Sequence, residues 1–352
     1  MANNEPAIFE DVDNPKLPKV SVYTKENPVK SNPGMASKIA LIGAFDSTVE
    51  EPVLCTSIDD AYEKLGNDVT YAGIACLDEL FYGASSILAV NITTGTGENR
   101  ETSMTPGKLT TALSKISGES FDKVYLAVKV DNNLMPILDA FLKKRFKDKI
   151  PAGFVAYYDG TPNLAGDFCY GIMHQQLIVN DTLLSEIESG AYYCAVLASL
   201  NVGNSMTMKV VPNVTGVTPE LSFERGGNGL SALDNGLTVF RCQDRANNKY
   251  IVVNSEQPNG YDLYINRVRD FVVREMSLHQ YLGDRNRSAS LNEIKQELDR
   301  VKERCVNTLD LLKDIEYTVE KKSPKCVDVN ITRLLFDGII TEINVYITIE
   351  VE

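Results

Sequence analysis

The chain of 352 residues has no tryptophan and only two histidines, His174 and His279. Neither histidine has a second one at ligand spacing, and no C-x-x-C pair occurs, so no metal signature is present. No apolar run reaches the roughly 18 residues that a membrane span needs. The first residues, MANNEPAIFEDVDNPK, are acidic and proline-bearing and carry no signal-peptide pattern. Net charge is −13, and no basic stripe of the kind that grips nucleic acid stands out. The seven cysteines are odd in number, scattered and mostly in apolar settings, as expected for reduced, buried thiols rather than a disulfide framework.

Catalytic patterns are equally scarce. GTG at Gly95 to Gly97 follows a strand, yet completes neither a phosphate loop nor a dinucleotide loop. It reads as a flexible surface loop. No G-x-S-x-G elbow occurs. The best enzymatic candidate is Asp159 in YYDGTPN, at a strand end where α/β folds bind ligands, although a single Asp in a turn more often serves the turn itself. The expectation is therefore no catalytic residue, no cofactor and no metal, with a soluble α/β nucleotide-binding enzyme kept as the minor alternative.

What the sequence does contain is ordinary core-forming material, 43% hydrophobic and 24% charged. From Ser37 onward, strands and helices alternate, which implies a mostly parallel or mixed α/β sheet. SKIALIGAFD, SSILAVNIT, DKVYLAVKV and AGFVAYYDG read as strands. A helix follows the Ser57 cap, with Asp60 at capping-box spacing, and closes at Gly66. TYAGIACLDELFYG reads as one apolar helix, and further helices cover 108–116 and NLMPILDAFLKKRFKD. TLLSEIESG reads as a helix closed by Gly190. AYYCAVLASL is helix or buried strand, and 201–235 is mostly loop with short strands. Beyond residue 236 come a hairpin around Ala246 to Asn248, the amphipathic helix YDLYINRVRDFVVREMSLHQYLG, and a helix capped by Ser290 with Glu293. That helix carries an apolar stripe from Leu291 through Ile294, Leu298, Val301 and Cys305 to Leu312. KCVDVNITR and FDGIIT then read as strands.

Both ends of the sequence carry strand patterns. Five prolines keep the first 34 residues extended, around the strand candidate KVSVYTKE at 19–26. The last eleven residues, EINVYITIEVE, alternate strictly: Ile343, Val345, Ile347, Ile349 and Val351 share one face. No partner strand follows in the sequence. An unpaired strand at an edge is an aggregation liability, so its partner is expected in another copy of the chain.

Three stretches in order resemble contractile tail sheath proteins: SKIALIGAFDSTVEEPVLCTSIDDAYEKLG, YINRVRDFVVREMSLHQYLGDRN and VDVNITRLLFDGIITEINVYITIEV. They cover the first and last thirds. The length is closer to the small sheaths of R-type bacteriocins and simple contractile phages than to the two-protein sheath of type VI secretion.

The resemblance implies an extended arm (1–36), an outer α/β domain (37–235) and an inner C-terminal α+β domain (236–352). The inner domain would have two long helices and a sheet completed by neighbours' strands. It also implies six-membered rings stacked around an inner tube, with baseplate and tail terminator proteins as further partners. No nucleic acid is bound and no membrane is entered directly. Such particles assemble in the bacterial cytoplasm and act outside the cell. On this reading Val20, Val22 and Tyr23 of the first arm, and Ile343, Val345, Ile347, Ile349 and Val351 of the last, exchange between subunits by β-augmentation. Main-chain pairing contributes about 0.5–1.5 kcal/mol per hydrogen bond. Burying the five apolar side chains adds on the order of 8–15 kcal/mol as an upper bound, so the side chains dominate. Pro28, Pro33 and Gly34 would form the arm's hinge. Sheath C-terminal domains lie innermost, so the basic residues between Arg267 and Arg304 are candidates to face the tube, with Arg285, Arg287, Lys295, Arg300 and Lys302 foremost. Contraction would be a switch between two packings, the extended one metastable. Another tail or baseplate structural protein is the nearest alternative.

Overall fold

The computed structural model describes residues 19–20, 37–95, 100–158, 168–276, 288–323, 326–338 and 342–343. After β1 (Lys19–Val20), the main unit begins with β2 (Lys38–Gly43), β3 (Val53–Cys55) and α1 (Ile58–Leu65). Then come α2 (Ala72–Ala75), α3 (Leu77–Phe81), β4 (Ser86–Asn91), α4 (Pro106–Lys115) and β5 (Lys123–Val130). They are followed by α5 (Met135–Lys147), β6 (Gly153–Tyr158) and β7 (Cys169–Met173). These strands form one six-stranded sheet in the order β3-β4-β2-β5-β6-β7. Its neighbours are parallel except β3, which runs antiparallel to β4. The expected mixed sheet is therefore present.

The strands alternate between two cores. Ile39, Leu41, Ile87, Ala89, Tyr125, Ala127, Val155 and Tyr157 point to one face. Ala40, Ile42, Leu88, Val90, Val124, Leu126, Phe154 and Ala156 point to the other. A strand covered on both faces needs apolar residues at every position, which is why these segments are continuous apolar runs. Leu109 and Leu113 of α4 and Leu138 and Leu142 of α5 cover the second face.

The first face is covered by α1, α3 and α6 (Glu186–Ser199). Before α6 lie β8 (Gln176–Val179) and β9 (Thr182–Leu183). β8 pairs with β9 and with β10 (Val214–Thr218). α7 (Asn228–Asp234) and the hairpin β11 (Phe240–Asp244) and β12 (Lys249–Val252) complete the unit.

Several expectations change. Gly190 does not end a helix: α6 runs through it, and AYYCAVLASL is the helix's second half. A Cβ at Gly190 would lie 2.5 Å from the Tyr125 hydroxyl, so glycine there permits close packing on β5. TYAGIACLDELFYG is two short helices, interrupted at Cys76. Ser57 does cap α1, accepting from the Asp60 amide at 3.1 Å. The Asp60 carboxylate, however, reaches back to the Thr56 amide at 2.9 Å rather than to the cap's own amide.

The third core belongs to the C-terminal elements. α8 (Leu263–Glu275) and α9 (Ser288–Glu303) pack through Tyr264, Val268, Phe271 and Val272 against Ile294, Leu298 and Val301. The stripe continues through a π-turn, Arg304–Thr308, to Cys305 and Leu312. α9 begins at Ser288, so Ser290 lies inside it rather than capping it. The hairpin β11–β12 belongs with the large sheet: Phe240, Tyr250 and Val252 lie in its first core, Leu237, Val239 and Val253 in its second. The packing thus groups residues 237–253 with the preceding α/β elements, and the third core begins at Tyr264.

Two long strands close the described C-terminal region, β13 (Asp314–Ser323) and β14 (Cys326–Leu335), followed by β15 (Glu342–Ile343). β13 escapes the sequence reading because Glu316, Glu320, Lys321 and Lys322 dilute its alternation of Ile315, Tyr317 and Val319. Phe336 to Gly338, read as the start of a strand, lie outside any strand.

Candidate assembly interface

β13 and β14 form an antiparallel sheet of only two strands, each ten residues long. Ile315, Tyr317 and Val319 of β13 and Val327, Val329 and Ile331 of β14 all pack on the third core. Of these only Ile315 is fully buried; the other five are half-buried. The opposite face carries exposed Glu316, Thr318, Glu320, Asn330 and Thr332. The Tyr317 hydroxyl donates to Asp299 Oδ1 at 2.5 Å and also lies 3.2 Å from the Lys295 carbonyl. Burial, then the Asp299 carboxylate, pushes the Tyr317 pKa up to about 12. A two-stranded sheet is marginal alone. This one is anchored by its apolar face, and among the described residues no third strand joins it.

The two arms meet elsewhere. Lys19 pairs with Glu342 and Val20 with Ile343 in a parallel ladder, a sheet separate from β13–β14. The sequence reading looked for the partner of the terminal strand in another copy; these two residue pairs lie within one chain, and backbone amides and carbonyls demand partners in either arrangement. Val22, Tyr23, Val345, Ile347, Ile349 and Val351 lie outside the described residues, as do the hinge candidates Pro28, Pro33 and Gly34.

α8 joins the C-terminal elements to the large sheet through charge. Arg267, Asp270 and Arg274 recur at three- and four-residue spacing, on one face of the helix. Buried Arg267 donates to the carbonyls of Leu197 (3.2 Å), Leu200 (2.6 Å) and Asn201 (3.0 Å), closing the C-terminus of α6. Asp270 is completely buried; it accepts from the Tyr170 hydroxyl at 2.7 Å and from Arg269 Nε at 2.9 Å. Its burial outweighs these partners and pushes its pKa up to about 6. Arg274 pairs with Asp122. Next to Asp122, the Lys123 ammonium is buried and donates to Ser37 Oγ at 3.0 Å. Burial first, then the charge of Arg267, lowers its pKa to about 7.

The residues expected to face a tube divide accordingly. Arg267 and Arg274 are engaged with the α/β elements rather than turned outward. Of the foremost candidates, Arg300 is exposed and bonds Glu297 at 2.5 Å, and Lys302 bonds Asp314 at 2.6 Å. Lys295 is exposed on α9. Arg285 and Arg287 lie outside the described residues.

Of the enzymatic candidates, Gly95 and His174 lie among the described residues. The Gly95 loop is closed by Thr94–Glu101 backbone bonds of 3.1 and 2.8 Å. Arg100 ties it down, donating to Asp46 Oδ1 (2.8 Å) and the Tyr71 hydroxyl (2.7 Å). The next helix, α4, starts only at Pro106, so Gly95 does not lead into a helix N-terminus as a phosphate loop would. Gly97, Asp159 and His279 lie outside the described residues. His174 is half-buried, and desolvation lowers its pKa. Among the described residues no group of His, Cys, Asp or Glu could hold a metal, and no helix is long and apolar enough to cross a membrane. Cys55, Cys76, Cys169, Cys194 and Cys305 are buried and Cys242 is half-buried, all as free thiols.

The architecture matches solved structures of contractile tails. Its fold is similar to that of the sheath tail protein of Desulfitobacterium hafniense, with a TM-score of 0.67 at 13% identity, covering 92% of this chain and 97% of that one. The sheath tail protein of Listeria innocua matches with a TM-score of 0.67 at 15% identity over 88% and 94% of the two chains. The helical sheath of the anti-feeding prophage, in its contracted state, gives 0.62 at 13% identity over 93% and 98%. No family model and no curated protein matches the sequence itself. The fold likeness thus supports the sheath resemblance seen in the sequence.

Proposed function

We propose that this chain is the structural subunit of a contractile tail sheath. The observation that supports the reading is the sheath-like fold carrying a long two-stranded β13–β14 sheet anchored on one face, in a chain whose sequence has strand patterns near both ends. In the assembly, the arms leave their mutual pairing and add to β13–β14 sheets of neighbouring copies by β-augmentation. Their apolar faces would continue the sheet's apolar face beside its half-buried valines and isoleucines. Six subunits form a ring, and rings stack around an inner tube. The arms hold the mesh together while the contacts between subunit bodies exchange, and contraction from a metastable extended state drives the tube through a cell envelope. The chemistry needed is packing and strand pairing, and no catalytic residue takes part.

Negative-stain electron microscopy of the purified full-length chain, alone and with its tube protein, tests this. Hollow tubes of stacked rings are expected. A monomer at all concentrations, with and without tube protein, would end the sheath reading.

A second reading has its own support. Two of the matching structures are of the anti-feeding prophage baseplate, with TM-scores of 0.64 and 0.57. A baseplate or other tail component would give discs or single rings in the same micrographs.

A further inference from the structure

On a chain of net charge −13, positive charge gathers at the last turn of α5 and the loop after it. Lys143, Lys144, Lys147 and Lys149 are all exposed there, beside exposed Asp148. Lys143 bonds Asp139 at 2.7 Å. Arg145, in the same run, is not part of this surface: it is buried and donates to the carbonyls of Ile116, Ser117 and Glu119. The end of α5 sits at the β7 edge of the large sheet, where the Phe146 and Phe168 rings pack with centroids 5.5 Å apart.

The opposite edge is acidic. β3 is the other outermost strand, and α1 packs beside it. Glu50, Glu51, Asp59 and Glu63 are exposed at this end. Two lysines offset part of that charge: Lys64, held by Asp60 at 2.7 Å, and Lys115 of α4, which donates to the Glu50 carbonyl. Two apolar side chains, Val49 and Leu54, lie exposed among the acids, Leu54 at 44%. Six strands separate the two ends by about 24 Å at about 4.8 Å per strand, well beyond a Debye length of about 10 Å at 0.1 M salt. One copy cannot bring its own two ends together, whereas two copies can. A contact between different patches is heterologous, and repeated, it generates rings or helices.

We propose that copies of this chain meet head to tail, the lysine-bearing end of α5 on one copy lying against the acidic β3–α1 end of the next. The contact is one of the exchangeable body contacts of the assembly proposed above and rests on that reading. The proposed arm joints, being apolar, would not be screened by salt. This contact is salt-sensitive, because exposed charges are screened.

Three variants of the full-length chain test it: Lys144→Glu/Lys147→Glu/Lys149→Glu, Glu51→Lys/Asp59→Lys/Glu63→Lys, and the six changes combined. All positions are exposed, and circular dichroism verifies folding. Assembly is followed by sedimentation and negative stain. Each triple is expected to raise the concentration needed for assembly at least about tenfold at low salt, and the combined variant to restore it. High salt should weaken wild-type assembly toward the level of the triples. Triples that assemble like wild type, or a combined variant no better than either triple, would overturn the contact while leaving the sheath reading intact. A wild-type chain that never assembles removes both.

Discussion

The hydroxyl of Tyr170, in the last strand of the large sheet, donates to Oδ2 of Asp270, in α8, across 2.7 Å. Arg267 and Arg274, on the same face of α8, reach the end of α6 and Asp122. This face fixes the C-terminal elements on the α/β elements by buried polar contacts, while the apolar face of α8 serves the third core.

Asp270 makes that joint pH-dependent. Its pKa lies near 6 in the folded chain and about 3.9 when unfolded. The folded chain therefore holds this proton more tightly, and stability from this group rises as pH falls from about 6 to about 4. The penalty, on the order of 2–3 kcal/mol, is in force above pH 6. Thermal melts of wild type and Asp270→Asn should converge toward pH 4 and separate above pH 6, with the variant relatively more stable there. Parallel profiles would contradict the assignment.

Lys123 acts with the opposite sign. Its folded pKa, near 7, is below the unfolded value of about 10.4. The unfolded chain binds the extra proton, so stability from this group rises with pH between about 7 and 10. Lys123→Met should stabilise most below pH 7 and lose that advantage by about pH 10. A pH-independent difference in denaturant midpoint would refute this.

Arg267 satisfies three carbonyls at the end of α6. Buried acceptors left unpaired cost about 1–3 kcal/mol each, so Arg267→Ala should lower unfolding free energy by several kcal/mol in urea. Arg267→Lys should recover only part of it, because an ammonium lacks the planar fork. Full recovery by lysine would show that charge alone matters.

Gly190→Ala would stabilise an open helix by up to about 1 kcal/mol. Here the new Cβ meets the Tyr125 hydroxyl at 2.5 Å, and the expected effect is a loss of about 1–3 kcal/mol. Adding Tyr125→Phe should recover much of that loss. Additive effects of the two changes would place the clash elsewhere.

Deleting residues 343–352 should leave a folded monomer with the wild-type circular dichroism spectrum and no tubes. Tubes formed by the truncated chain would refute strand exchange by this arm.

Much of the fold was legible in the sequence. The runs around Ile39, Ile87, Val124 and Phe154 announced strands covered on both faces, and the Leu291 to Leu312 stripe announced a core helix. Gly190 misled, because glycine ends helices and the sequence does not show Tyr125 pressing on it. β13 was hidden by four charges on its outer face and near its end. Arg267 and Arg274 counted as surface cations in sequence, since burial of a guanidinium depends on carbonyls and carboxylates brought from α6 and β5.

By itself the sequence determined the alternation of strands and helices and the strand-like patterns near both ends, because these rest on local periodicity and residue chemistry. Only the tertiary structure decided which charges are buried in the α8 joint, that β13 pairs with β14, and that Lys19–Val20 pairs with Glu342–Ile343. Those are contacts between separate segments of the chain, and no local pattern specifies which other groups will satisfy a buried charge or a strand edge.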